Sequence, residues 1–180
     1  MKSRDLLLEY IKKYGSVKGY KVNVEYFLNH RVDPSLLETI TDDFLLIINN
    51  MEFDKIMTAE SSGIALATSI SLKTGKPFVY LKKKKPSTMD DHFSVENFSF
   101  TKNETIKLFL SKSCINRNEK IIFVDDFFAN GNTFNAVNRL KDVAGFQLVG
   151  YFVVINKSLH KNIFSILNKN DMETILNEIK

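Results

Sequence analysis

Two adjacent carboxylates, Asp125 and Asp126, end the strongly apolar run Lys120-Ile121-Ile122-Phe123-Val124. Paired acids of this kind can accept hydrogen bonds from vicinal hydroxyls or help hold a divalent cation. Behind them lies the short stretch Phe127-Phe128-Ala129-Asn130-Gly131-Asn132-Thr133, and then a helical segment over roughly 133–143. In an open α/β sheet, ligands sit beyond the carboxyl ends of the strands, so chemistry is expected here. The N–H groups that open the helix form a cradle for an anion, and the Thr133 hydroxyl adds a donor. Gly131 permits a close backbone approach or a positive φ. The spacing suits a blander arrangement as well, a strand–turn–helix in which Asp125 and Asp126 merely cap the next element. The pattern GxxxxGK[ST] is absent from this segment, which excludes a Walker-type nucleotide loop.

A second polar-glycine turn, Glu60-Ser61-Ser62-Gly63, separates a short apolar strand (54–59) from a helix (64–74). Its small residues would let N–H groups and hydroxyls approach an anion, while its ordinary role would be a turn with Ser as N-cap. Lys82 to Lys85 form a basic run just after another strand, 77–81. Lys157 follows the apolar strand 146–156, where a solvated lysine is the plain alternative to a functional one.

These groups need a frame. Residues 2–14 carry Leu6, Leu7, Tyr10 and Ile11 on one helical stripe ended by Gly15. The stretch 21–34 is rich in β-formers without a clean strand period, and Pro34 suits the first turn of the helix that follows. Residues 82–97 read as a mobile excursion, and NFSFT with ETIKLFLS as a hairpin turning at Lys102-Asn103. A helical tail closes the chain. Strands alternating with helices in this order predict an α/β fold, with a mostly parallel sheet flanked by helices, in one domain spanning 1–180.

Composition narrows the setting. A chain of 180 residues with 44% hydrophobic and 26% charged residues can bury a core and is not disordered. Its one cysteine, Cys114, fits a reducing, cytoplasmic compartment. No apolar run reaches the length of a membrane helix, and the charged first residues do not read as a signal peptide. A net charge of +4 is compatible with nucleic acid or with anionic small molecules.

The segment around Asp125 resembles the phosphoribosyl pyrophosphate (PRPP) motif of type I phosphoribosyltransferases. Further stretches are similar to one branch of that family, the bacterial xanthine phosphoribosyltransferases: YFLNHRVDP (26–34), TAESSGIA (58–65), KKKKPST (82–88), FSFTK (98–102), VDDFFANG (124–131) and NKS (156–158). They stand in the family's order over about residues 1–158.

The resemblance implies the type I phosphoribosyltransferase fold, with a small hood built from the N-terminal segment and the C-terminal end. It also implies purine salvage: transfer of ribose 5-phosphate from PRPP to a 6-oxopurine, xanthine in this branch, giving XMP and pyrophosphate. By similarity Ala129, Asn130, Gly131, Asn132 and Thr133 would wrap the 5-phosphate, and Asp125 and Asp126 would face the ribose hydroxyls as catalytic acids. Glu60, Ser61, Ser62, Gly63, Lys82 and Lys83 would meet the pyrophosphate. Val22, Asn29, Phe127 and Lys157 would line the purine, Phe127 by stacking and Lys157 by donating to the 6-oxo group, a preference that disfavours adenine. Mg²⁺ is implied, held mainly by PRPP oxygens with Asp125 and Asp126 in support. A homodimer is implied too, with residues 82–102, Phe98 to Lys102 among them, closing over the substrates.

Two departures stand out. The basic loop opens Lys82-Lys83 where the family has Arg-Lys, losing a bidentate fork. The tail after NKS is short and helical in pattern, which would leave the hood open. No general base is evident: hypoxanthine–guanine enzymes have an acid at the position of Ala129, and the xanthine branch does not, so a water or the acidity of the substrate would handle the proton. His30 is either a base beside the pocket or a packing residue. A hypoxanthine/guanine enzyme, or a PRPP- or purine-sensing regulator of the same fold without catalysis, stand as alternatives. Nucleic acid is disfavoured as a partner, because no appended helix-turn-helix is present and the lysine run lies beside two phosphate loops.

Overall fold

The computed structural model describes residues 2–18, 21–99 and 104–178. Its centre is a five-stranded sheet. The strands are β3 (Lys55–Ala59), β4 (Phe78–Leu81), β7 (Lys120–Phe128), β8 (Gln147–Asn156) and β9 (Phe164–Leu167), in spatial order β4-β3-β7-β8-β9. All four neighbouring pairs are parallel. In chain order these are strands two, one, three, four and five, so the connections reverse direction between β3 and β7. The loops after those two strands therefore diverge to opposite faces and leave a crevice between them.

Each face of the sheet buries its own core. One side holds α1 (Lys2–Tyr14), α2 (Pro34–Ile48) and α3 (Gly63–Thr74), whose Leu7, Ile11, Leu36, Phe44, Leu66 and Ile70 pack with Ile56, Ile122 and Phe152. Phe44 and Phe152 meet edge-on with centroids 5.5 Å apart. The other side holds α4 (Asn132–Ala144) and a hairpin of β5 (His92–Ser99) and β6 (Glu104–Ser111), where Val137, Leu140, Leu108 and Leu110 cover Phe123, Tyr151 and Val153. Full burial of such side chains contributes about 1.5–3 kcal/mol apiece. Pro34 opens α2 as expected, and Asp33 caps it by accepting from the N–H groups of Ser35 and Leu36 at 3.1 and 3.3 Å.

Three expectations need correction. The strand through the acids does not stop at residue 126: β7 continues to Phe128, because Phe127 and Phe128 keep pairing with Ile155 and Asn156 of β8. The excursion after β4 is shorter than 82–97. Lys82 already exchanges backbone bonds with Phe109 of β6 at 3.0 and 2.9 Å, and β5 begins at His92. The tail is not simply helical, since β9 joins the edge of the main sheet before α5 (Lys169–Glu178). Asp171 of α5 binds Arg4 of α1 at 2.7 Å, and Met172 and Ile175 enter the core. The turn Lys102-Asn103, and most of the stretch Phe98 to Lys102, lie outside the described residues.

The N-terminal hood consists of a small antiparallel pair, β1 (Ser16–Lys18) and β2 (Lys21–Asn23), and one π-helical turn over Glu25–Asn29. That turn sets Phe27 and Leu28 into the core and leaves Asn29 half-buried.

Candidate active site

Asp125 and Asp126 sit near the end of β7, at the crevice where the sheet reverses, and each is only 8% exposed. Three donors hold Asp126: Asn29 Nδ2 to Oδ2 at 3.1 Å, Ser62 Oγ to Oδ1 at 3.0 Å, and the Phe127 N–H to Oδ1 at 2.9 Å. Asp125 Oδ1 accepts from the Asp126 N–H at 2.9 Å. Burial, and then the neighbouring Asp126, push the Asp125 carboxyl well above the ordinary carboxylate range; the charge of Lys83 opposes this weakly. Burial and the same Asp125 also raise the Tyr151 phenol. The acids do not cap the next helix. They are built into the strand.

The loop after β3 faces them. Ser62 occupies the N-cap position of α3 but makes no capping bond; its hydroxyl goes to Asp126 instead. Gly63 lies directly over β3 and β7, since a Cβ there would stand 2.0 Å from Thr58 Oγ1 and 3.1 Å from Asp125 Oδ1. Glu60 accepts from the Lys83 N–H at 3.0 Å, so the glycine turn and the basic run are tied together. Lys82 lies with Nζ 4.8 Å from the Tyr80 ring centre. Ala129 and Asn130 are exposed beyond β7, and Gly131 takes φ +73° as the residue that enters α4. Gly131, as N-cap, supplies no side-chain cap of its own to the first-turn N–H groups of a helix that presents Asn132 and Thr133.

A cavity of ≈ 460 Å³ opens beside this crevice, lined by Val22, Asn29 and Lys157 together with Ser16, Asn23, Val24 and Glu25. Lys157 Nζ stands 4.3 Å from the centre of the Phe127 ring, so the ammonium at the cavity wall lies over an aromatic ring that does not itself line the cavity. The Lys157 N–H is fixed by the Phe128 carbonyl at 2.8 Å. Burial pulls the Lys157 ammonium below the ordinary lysine range, against a smaller opposing pull from Asp126. Asn29 bridges cavity and acids, because the residue that lines the cavity also binds Asp126.

Ser16, Asn23 and Glu25 were not foreseen. Ser16 and Asn23 come from the short hood strands and Glu25 opens the π-helical turn, segments without strong periodicity that only the folded hood brings to the cavity. Asn23 holds Glu25 in place, accepting its N–H at 2.9 Å. His30, by contrast, is exposed and lines a neighbouring hollow with Arg31, so it is neither a core histidine nor part of this cavity.

Among the described residues no three His, Cys, Asp or Glu side chains gather as a metal cage. The oxygen donors of Asp125 and Asp126 suit a hard cation such as Mg²⁺, but both Asp126 oxygens are already engaged. The pair fits an ion that takes most of its ligands from a substrate.

A parallel sheet with an acidic strand end between two small-residue loops, and a lysine-bearing cavity alongside, frames the candidate site. Residues 36–163 match the family model described as the phosphoribosyl transferase domain. The chain belongs to that family. It is 39% identical over 158 residues to the xanthine phosphoribosyltransferase of Latilactobacillus sakei subsp. sakei (strain 23K), covering 87% of this chain and 81% of that one. It is 35% identical over 159 residues to the enzyme of the same name from Staphylococcus carnosus (strain TM300), covering 87% and 83%. Among solved structures, adenine phosphoribosyltransferase from Rhodothermus marinus DSM 4252 superposes with a TM-score of 0.68 at 19% identity, over 91% of this chain and 99% of that one. That likeness speaks for the fold.

Proposed function

We propose that this chain, acting as a single domain, transfers ribose 5-phosphate from PRPP to xanthine and releases XMP and pyrophosphate. The observation that carries the reading is the joining of Asn29 to Asp126: one bond couples a base-sized cavity to an acidic pair that faces a phosphate-type loop. The names of the curated relatives support xanthine as the acceptor.

In this reading Ala129, Asn130, Gly131, Asn132 and Thr133 bind the 5-phosphate at the opening of α4. Asp125 and Asp126 accept from the ribose hydroxyls and favour the positive charge that develops on the sugar as the bond to pyrophosphate breaks. Glu60, Ser61, Ser62 and Gly63, with Lys82 and Lys83, hold the departing pyrophosphate. Phe127 stacks on the purine, Lys157 donates to its 6-oxo group, and Val22 and Asn29 close its other edge. Orientation of the base against the sugar accounts for much of the rate. Asp125 and Asp126 would help hold Mg²⁺, which would supply positive charge against that of the leaving group. The proton lost from xanthine leaves to water.

A homodimer and a cytoplasmic location accompany this reading; among the described residues no helix is long and apolar enough to cross a membrane. Incubation with PRPP, Mg²⁺ and xanthine should yield XMP and pyrophosphate in equal amounts. Absence of both products would overturn the proposal.

A further inference from the structure

Thr58 lies in the middle of the site without a role in the scheme above. It is 0% exposed on β3, and its Oγ1 is the buried side-chain polar atom without a hydrogen-bond partner among the described residues. An orphaned buried hydroxyl costs roughly 1–3 kcal/mol, whereas valine would fill the same volume on a strand at no such cost. A buried hydroxyl kept at that cost needs a reason.

Its surroundings supply one. The point where a Gly63 Cβ would stand is 2.0 Å from Thr58 Oγ1, 3.1 Å from Asp125 Oδ1 and 3.2 Å from the Val124 carbonyl oxygen. Hydroxyl and carboxylate thus both approach the same point beside Gly63, and the hydroxyl occupies the space that a side chain at residue 63 would need. The two acids are unequally supplied with donors. Asp126 receives three, one of them the Ser62 hydroxyl, while Asp125 receives the Asp126 N–H.

We infer that Thr58 is the positioning residue for Asp125. When a ribose hydroxyl donates to one Asp125 oxygen, the carboxylate turns toward Gly63, and its other oxygen accepts from Thr58 Oγ1. The segment from Thr58 to Gly63 then steadies both acids, Ser62 on Asp126 and Thr58 on Asp125, while its loop meets the pyrophosphate. This inference rests on the role given to Asp125 in the proposed function.

The test compares Thr58→Val and Thr58→Ser with the wild type in PRPP kinetics and thermal unfolding. Thr58→Val should keep or raise the Tm, lower kcat about ten- to a hundredfold and leave the KM for xanthine within twofold. Thr58→Ser, which keeps the hydroxyl, should restore most of kcat. A Thr58→Val enzyme with wild-type kcat would overturn the inference, as would equal losses in both variants. A wild type that does not turn over PRPP would overturn the proposed function and this inference with it. An active wild type with an unaffected Thr58→Val variant would overturn the inference alone.

Discussion

Asn29 Nδ2 donates to Asp126 Oδ2 across 3.1 Å, so the N-terminal hood reaches the end of β7 through a side chain that also lines the base cavity. Replacing Asn29 with Leu removes a donor to a buried carboxylate and a polar wall of the cavity at once. The expected result is about a tenfold loss in kcat/KM for the base together with a raised KM for PRPP, since a hydrogen bond to a charged group contributes roughly 1.5–3 kcal/mol. Steady-state kinetics varied in both substrates checks this. A loss confined to the base would break the link.

In the proposed reading Lys157 carries the preference for a 6-oxo group. Lys157→Met should lower kcat/KM for xanthine about ten- to a hundredfold, with a small effect on PRPP. Burial lowers the Lys157 pKa, so its charge is lost as pH rises through a range below that of an ordinary lysine. Base affinity in the wild type should fall along that alkaline limb, and the limb should vanish in Lys157→Met. Binding of xanthine across the pH range reads both.

Asp125 titrates above its ordinary range in the folded chain. The folded state therefore binds the proton more tightly than the unfolded state does. The contribution of this group to stability is fully present below the unfolded carboxylate pKa and is lost as pH rises through the raised folded value. Asp125→Asn should raise the Tm at neutral pH, and the gap should close in acid, while catalysis falls. Thermal unfolding of both proteins as a function of pH measures it.

Two glycines should differ in how they resist substitution. Gly63→Ala forces a Cβ to 2.0 Å from Thr58 Oγ1 and should cost about 1–3 kcal/mol, part of it recovered in the double variant Gly63→Ala/Thr58→Ala. Gly131 has ordinary space around it, its nearest neighbour being Phe128 Cζ at 3.5 Å, but sits at φ +73°. Gly131→Ala should cost about 1 kcal/mol from backbone strain alone, with a raised KM for PRPP. Urea unfolding of the variants separates the two mechanisms.

Much of the site was legible in the sequence because its residues follow strong strands: Asp125 and Asp126 in β7, the Glu60 turn after β3 and Lys157 after β8. Contacts that depend on three-dimensional folding were not. The acids look like the end of a strand at residue 126, yet the parallel ladder to β8 carries β7 on to Phe128, with Asp126 fully hydrogen-bonded inside it. The strand Phe164–Leu167 is too short for its period to distinguish it from a helix, and its identity comes from the edge of β8 that it covers. The π-helical turn that aims Asn29 has no sequence signature; it is set by burial of Phe27 and Leu28 beneath it. Ser62 illustrates the same point at the level of one side chain. Its type and position predict an N-cap, and the nearby carboxylate of Asp126 takes its hydroxyl instead.

In the proposed reading the phosphoribosyl group of PRPP passes to a 6-oxopurine, xanthine above the others. Its most direct test is pyrophosphate release with PRPP and Mg²⁺ across xanthine, hypoxanthine, guanine and adenine at equal concentrations. The account predicts the highest kcat/KM for xanthine, lower values for hypoxanthine and guanine, and none for adenine. Turnover of adenine alone, or no pyrophosphate release with any of the four, would contradict it.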